Sequence, residues 1–279
     1  GQGRQSTDMF AKLRNYPEAL ELEKQIKEAA IIPDACFSDS TMLFDNKFAQ
    51  PLICLYQAML WRIISPLLPE VSLFAGYSLG ELTAFHCSAM LDAFELIRLA
   101  VIRGQIMSNA AKSPQAMLAV LGLNAAEIAE SAEKYNAHLA IRNAAHHLIY
   151  GLETKNLNAF EQELLAAGAT RTVILPVSVA AHTPFLNKAA QEFEQILRKI
   201  PAKYAEAPVL SSVNSEKIYN SAIMPDALSS QINSCVDWQT VMESALASPC
   251  KVFLELGPGK SLVNIIREEY PQVEARSLD

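Results

Sequence analysis

The chain has 279 residues, 51% hydrophobic and 19% charged, so it can bury a sizeable core as one large domain or as a large domain carrying a smaller one. Its formal charge of −7 argues against nucleic-acid binding, which needs a basic face. The five cysteines, Cys36, Cys54, Cys87, Cys235 and Cys250, are odd in number and lack C-x-x-C spacing, which speaks against a metal site and a disulfide framework and for free thiols in a reducing cytoplasm.

No signal peptide is evident. The apolar run 51–68 contains Gln57 and Arg62, so it reads as a buried helix and not as a membrane span. The pattern predicts that helix over about 49–65, with Pro51 in its first turn. A short apolar strand at 71–75 then runs into Gly76-Tyr77-Ser78-Leu79-Gly80, and a helix follows over 81–89. Another helix is predicted over 92–111, with Asp92 as its N-cap.

The texture changes after Pro114. Strands at 117–121, 138–142, 147–151 and 170–176, with helices at 125–135 and 157–167, give the order β-α-β-β-α-β of a ferredoxin-like unit. Residues 114–177 are therefore expected to form a small subdomain inserted into a large one made of 1–113 and 178–279. In the second part of the large domain, helices at 183–199 and 238–247 alternate with strands at 209–212 and 252–256, and a last helix starts near Ser261. That alternation predicts an α/β fold with a mostly parallel, hydrolase-like core.

Gly76-x-Ser78-x-Gly80 between a strand and a helix is the context of a nucleophile elbow. Glycines allow the sharp reversal, the hydroxyl is exposed, and the helix N-terminus favours developing negative charge. The bland alternative is a glycine turn with a helix-capping serine. A serine nucleophile needs a base. His86 lies two turns into the following helix and would point away, and His138, His146 and His147 fall in the small unit. His182, just before Thr183-Pro184, stands in a loop ahead of a helix. Such a histidine serves equally as a base or as surface decoration.

Several separated stretches together resemble one family, the malonyl-CoA:acyl carrier protein transacylases. These stretches are Gly1-Gln2-Gly3, Gln50-Pro51, Gly76 to Glu81, Arg103-Gly104 with Met107, Asn143, His182-Thr183-Pro184, Val213-Asn214, Val236-Asp237-Trp238 and Glu255 to Lys260. They keep the family's order over almost the whole chain. The resemblance implies Ser78 as the acylated nucleophile and His182 as general base and then general acid. It implies the backbone carbonyl of Asp237 as the group orienting that histidine, and the N–H groups of Gln2 and Leu79 as the oxyanion hole. It also implies Arg103 as the grip on the free carboxylate of malonate. An arginine suits that task through two parallel hydrogen bonds; read without the resemblance, Arg103 fits a structural salt bridge on a helix that also carries Arg98. Malonyl-CoA would be the donor and an acyl carrier protein the acceptor, with no bound cofactor and no metal.

Three departures stand out. Tyr77 replaces the usual histidine, Ala181-His182-Thr183 replaces Phe-His-Ser, and the apolar strand expected before Gly1 is absent from this sequence. The Gly-Tyr-Ser and His-Thr-Pro variants are most similar to the epsilon (acyltransferase) subunit of bacterial malonate decarboxylase, which implies other subunits of that enzyme as partners. Ala181 leaves more room near the acyl group and bears on malonyl against methylmalonyl selectivity. Gly259-Lys260-Ser261 is not a phosphate loop, because the required earlier glycine would fall at Leu254. Rival readings are a serine hydrolase, which shares the elbow but expects an upstream His-Gly-Gly loop, and a non-catalytic docking subunit, which would need neither Ser78 nor His182.

Overall fold

A computed structural model describes residues 5–6, 8–37, 42–248 and 250–279. Pro17 opens α1 (Pro17–Glu28), where its missing N–H costs nothing. The next helix, α2 (Asn46–Ile64), starts earlier than the apolar run predicts, because the Asp45 side chain accepts from the Lys47 N–H and caps it. Pro51 therefore sits in the second turn, where it removes one helical hydrogen bond. Strand β1 is only Phe74–Ala75, and α3 (Leu79–Cys87) follows directly on Ser78. Asp92 caps α4 (Ala93–Ala110) through the Glu95 N–H, as its position predicts. Helices α2 and α4 approach closely at Gly104, where an added Cβ would lie 2.7 Å from the Asn46 carbonyl oxygen.

The central segment keeps the predicted succession: β2 (Gln115–Leu121), α5 (Ala125–Lys134), β3 (His138–Ala144), β4 (His147–Glu153), α6 (Thr154–Ala166) and β5 (Arg171–Ile174). The strands lie in the order β5-β2-β4-β3, every pair antiparallel. Asn124 and Glu127 form a reciprocal capping box at the start of α5. Leu118, Leu148, Phe160 and Leu164 belong to an apolar core drawn wholly from this segment. The other face of its sheet packs through Met117, Ile141 and Ile149 against Val236 and Tyr77.

The chain then forms α7 (Asn187–Leu197), β6 (Tyr204–Leu210), β7 (Lys217–Asn220), α8 (Met224–Asn233), β8 (Val236–Asp237), α9 (Trp238–Leu246), β9 (Val252–Glu255), α10 (Ser261–Glu269) and β10 (Glu274–Ser277). Among the described residues the large part does not form one continuous sheet. β1 pairs parallel with β6, β6 antiparallel with β7, and β9 parallel with β10. β8 joins the small sheet, parallel to β3. Between the β1 and β9 segments lies a cavity of about 820 Å³, lined by Trp61, Leu73, Trp238, Leu254 and Val263 among others. The largest apolar core gathers α1, α2, α3, α4, α7 and α8, with Leu22, Leu52, Phe85, Leu96, Phe193 and Leu228 fully or almost fully buried. No helix among the described residues is long and apolar enough to cross a membrane.

Phe160 is fully buried between Tyr135 and Tyr150. Phe160→Ala is expected to destabilise the central segment by about 3–5 kcal/mol, through lost burial and the cavity left behind. Urea denaturation followed by the near-ultraviolet signal of those tyrosines measures this directly.

Candidate active site

The turn from β1 into α3 is sterically forced. A Cβ on Gly76 would lie 2.0 Å from the Glu81 backbone nitrogen, so only glycine lets the strand end fold onto the first turn of the helix. Ser78 takes the strain of that reversal, with φ 54° and ψ −117°, a region that side-chain-bearing residues rarely occupy. Leu79 is the first residue of α3, and its N–H has no acceptor within the helix. It is thus free to face a developing oxyanion beside Ser78. Gln2 lies outside the described residues.

His182 also has a positive φ, 63°. Its Nε2 stands 2.7 Å from Ser78 Oγ, and its Nδ1 stands 2.6 Å from the carbonyl oxygen of Gln231. A carbonyl can only accept, so Nδ1 carries the proton and Nε2 is left to accept from the serine hydroxyl. The histidine is almost fully buried. Burial first, and the Arg103 charge second, push its pKa down to about 4 against the opposing pull of the Gln231 carbonyl. The imidazole is therefore neutral near pH 7, as a general base must be.

The carbonyl orienting His182 is not that of Asp237. Asp237 lies in β8, where its N–H donates to the Ser212 carbonyl and its side chain caps α9 through Thr240. Gln231 stands in the last turn of α8, where carbonyls run out of helical partners. His182 serves two of them, donating its backbone N–H to Ile232 at 2.8 Å and its ring Nδ1–H to Gln231. The negative end of the α8 dipole faces the same place and would favour an imidazole that takes up a proton.

Gln231 does more with its side chain, a role that the sequence did not suggest. Its Nε2 donates to the Ser78 carbonyl at 2.9 Å, to Glu81 Oε2 at 2.5 Å and to Ser212 Oγ at 3.1 Å. Its Oε1 accepts from Arg103 Nη2 at 3.0 Å. Arg103 Nη1 donates to Gln50 Oε1 at 2.9 Å. Arg103 is buried on α4, and both Nη groups meet neutral amide oxygens, not the salt bridge that a lone reading of the helix suggests. Burial pulls its pKa down to about 10, still well above neutral, so it remains a cation. Glu81 is completely buried in the same network. A buried glutamine at a helix end has no spacing signature, so Gln231 could not be found from the sequence. Glu81 was visible as the last residue of the glycine-serine motif.

The other histidines take other partners. His86 Nδ1 lies 2.9 Å from the Leu91 carbonyl oxygen, away from Ser78, and His138 packs edge-on against Phe185. His147 is half-buried: Asn143 Nδ2 lies 3.2 Å from its Nε2, and Asn143 Oδ1 accepts from the Tyr77 hydroxyl at 3.0 Å. Tyr77 thereby ties the nucleophile turn to β3. Cys54, Cys87, Cys235 and Cys250 are free thiols, and Cys36, Cys54 and Cys87 are buried. Among the described residues no cluster of His, Cys, Asp and Glu is arranged to hold a metal ion.

Residues 19–277 match the family described as "Acyl transferase domain". The chain is 28% identical over 292 residues to a malonyl CoA-acyl carrier protein transacylase of Salmonella typhimurium, covering 100% of this chain and 94% of that one. It is likewise 28% identical over 284 residues to a polyketide biosynthesis malonyl CoA-acyl carrier protein transacylase of Bacillus subtilis, covering 99% and 96%. Its fold is similar to the solved malonyl CoA-acyl carrier protein transacylase of Coxiella burnetii, with a TM-score of 0.93, 28% identity and coverage of 100% and 91%.

A base with a pKa near 4 makes the acid side of the reaction insensitive where a water-exposed imidazole would fail. The rate of Ser78 acylation at saturating donor is expected to stay level from about pH 7 to about pH 5.5. An unshifted histidine would lose roughly nine-tenths of it over that range. Stopped-flow measurement of the thiol released on acylation distinguishes the two.

Proposed function

The chain belongs to the acyl transferase domain family, and from that premise we propose that it moves a malonyl group from malonyl-CoA to the thiol of an acyl carrier protein through an acyl-serine intermediate. The observation that carries the malonyl reading is the buried Arg103 cation, joined to the Ser78–His182 pair through Gln231 and bonded, among the described residues, to neutral oxygens. A dicarboxylic acyl group brings one free carboxylate, which a guanidinium can take in two parallel hydrogen bonds. An acetyl group brings none. The named relatives act on the same pair of substrates, and they support the same assignment here.

The arrangement supports the following sequence of events. Ser78 Oγ attacks the thioester carbonyl carbon as its proton passes to His182 Nε2. The carbonyl oxygen becomes an oxyanion facing the Leu79 N–H, with the Gln2 N–H as the second donor of the reading. The tetrahedral intermediate collapses, the C–S bond breaks, and CoA leaves with the proton returned by His182. The carrier thiol then repeats these steps in reverse, giving its proton to His182 as it attacks the acyl-serine. A neutral carbonyl behind His182 stabilises the imidazolium less than a carboxylate would, which limits the activation of water against the more acidic thiol. No bound cofactor is called for in this chemistry.

The architecture reads as a hydrolase-like core, 1–113 with 178–279, carrying a ferredoxin-like insert at 114–177. The separate apolar core of the central segment supports that division. Gly76-Tyr77-Ser78 and His182-Thr183-Pro184 support a finer placement in malonate decarboxylase, as the cytoplasmic subunit that loads the carrier. Transfer in polyketide or fatty-acid synthesis is the second reading, favoured by the polyketide biosynthesis relative. In either setting the transfer step is the same.

Intact-mass spectrometry after mixing with malonyl-CoA is expected to show one malonyl adduct on the parent protein and none on Ser78→Ala. An adduct on both would remove Ser78 as nucleophile, and rapid CoA release with no adduct would point to a hydrolase. Arg103→Ala is expected to keep a reactive serine but to lose the preference for malonyl over acetyl donors, by about a hundredfold or more in the kcat/KM ratio. Unchanged selectivity would sink the carboxylate grip.

A further inference from the structure

Two opposite charges are buried in this site without touching. Glu81, on the first turn of α3, is fully inaccessible, and its Oε2 accepts from Ser212 Oγ at 2.5 Å, from Gln231 Nε2 at 2.5 Å and from the Ser212 N–H at 3.3 Å. Its Oε1 is buried and has no hydrogen-bond partner among the described residues. Arg103 lies on the other side of the Gln231 amide, which donates to Glu81 and accepts from Arg103. Among the described residues, Gln231 is thus a neutral bridge between a carboxylate with one unpartnered oxygen and a guanidinium that meets amide oxygens.

We propose that Glu81 is a specificity-determining residue: its carboxylate is the internal counter-charge of Arg103, and it takes a proton from solvent onto Oε1 when an acyl group bearing its own carboxylate docks on that guanidinium. The inference rests on the malonyl-transfer reading above. Its physical basis is charge balance in a poorly solvated site. One cation with one anion is tolerable there, and one cation with two anions is not. A second carboxylate on Arg103 removes the stabilisation Glu81 drew from it, and the buried acid then holds its proton. Oε1, unpartnered among the described residues, is where that proton sits without breaking any hydrogen bond already made to Oε2. An acetyl group leaves the original pair intact and moves no proton.

The surroundings are consistent with Glu81 as the group that titrates. Burial is the largest influence on it and, against the hydrogen bonds of Ser212 and Gln231 and the Arg103 charge, pushes its pKa up to about 7. Among the described residues the charge acting on it is that of Arg103, from α4. From α2, Cys54 faces the pair with a thiol pushed up to about 12 by burial, so it stays neutral. His182 stays neutral as well, for the reasons given above. Ser212 and Gln231 contribute only neutral groups. On its own helix, His86 is turned to Leu91.

The test compares the ratio of kcat/KM for malonyl-CoA over acetyl-CoA in the parent protein and in Glu81→Gln, as a function of pH. In the parent the ratio is expected to fall roughly tenfold between about pH 7 and about pH 8.5, as protonating Glu81 becomes harder. In Glu81→Gln the ratio is expected to be high and level across that range. The same slope in both proteins overturns the inference. Arg103→Ala separates the two levels: unchanged selectivity there defeats the malonyl reading itself, whereas lost selectivity there with an unaltered slope in Glu81→Gln defeats this inference alone. A second measurement does not depend on the Glu81 variant folding. Calorimetric titration of Ser78→Ala with malonyl-CoA, and separately with acetyl-CoA, in two buffers of different ionisation enthalpy at about pH 8 counts protons bound. Malonyl-CoA is expected to bring about one proton more than acetyl-CoA, the shared CoA phosphates cancelling in the difference. Equal counts overturn the proposal.

Discussion

The last turn of α8 is the part of this molecule on which the rest of the site hangs. A helix that ends leaves carbonyls without helical donors, and here two of them meet the backbone and ring N–H groups of His182. Those bonds decide the tautomer of the imidazole and the direction of its free nitrogen. They also hold His182 in a left-handed backbone conformation that it would otherwise leave. Ser78 is held by a comparable constraint on the other side, a turn that closes onto the Glu81 backbone with no room for a Cβ at Gly76. Two strained residues, each pinned by the element behind it, are brought within a single hydrogen bond. Neither backbone has an easy direction in which to relax.

Electrostatics in the site follows from how little water reaches it. His182 loses basicity, Arg103 loses some of its own, and Glu81 gains proton affinity, all with burial as the leading cause. The three shifts cooperate. His182 is neutral and Arg103 cationic near pH 7, and Glu81 has its pKa pushed up to about 7. The amides of Gln50 and Gln231 let the cation remain buried without a direct ion pair, which keeps its hydrogen-bonding edge exchangeable for a substrate carboxylate.

The sequence made the local rules visible wherever a signal was short in range. Asp92 as a cap, the β-α-β-β-α-β succession and the Gly-x-Ser-x-Gly turn each depend on neighbours within a few residues, and each is present in the structure. The start of α2 was misplaced because Asp45 lies before the apolar run, whose edge drew the boundary to Ala49. Strand β1 is shorter than its apolar run, because only Phe74 and Ala75 find partners, in β6. The expected mostly parallel core is broken into separate sheets, since pairing is a property of strands far apart in the chain. The histidine-orienting carbonyl was placed at Asp237 and lies at Gln231 for the same reason: any residue type carries a carbonyl, so only the three-dimensional end of α8 identifies the right one. Ser78 and His182 can be singled out in the sequence because the chemistry proposed for them resides in their side chains, and the structure brings those side chains to 2.7 Å.

That last distinction has a consequence for substitution. Gln231 makes its contacts with two chemically independent parts, meeting His182 with its backbone carbonyl and Arg103, Glu81 and the Ser78 carbonyl with its side chain. Replacing the amino acid at position 231 removes the side-chain bonds, the one to the nucleophile-elbow turn included, whereas every residue type keeps a carbonyl to offer the imidazole.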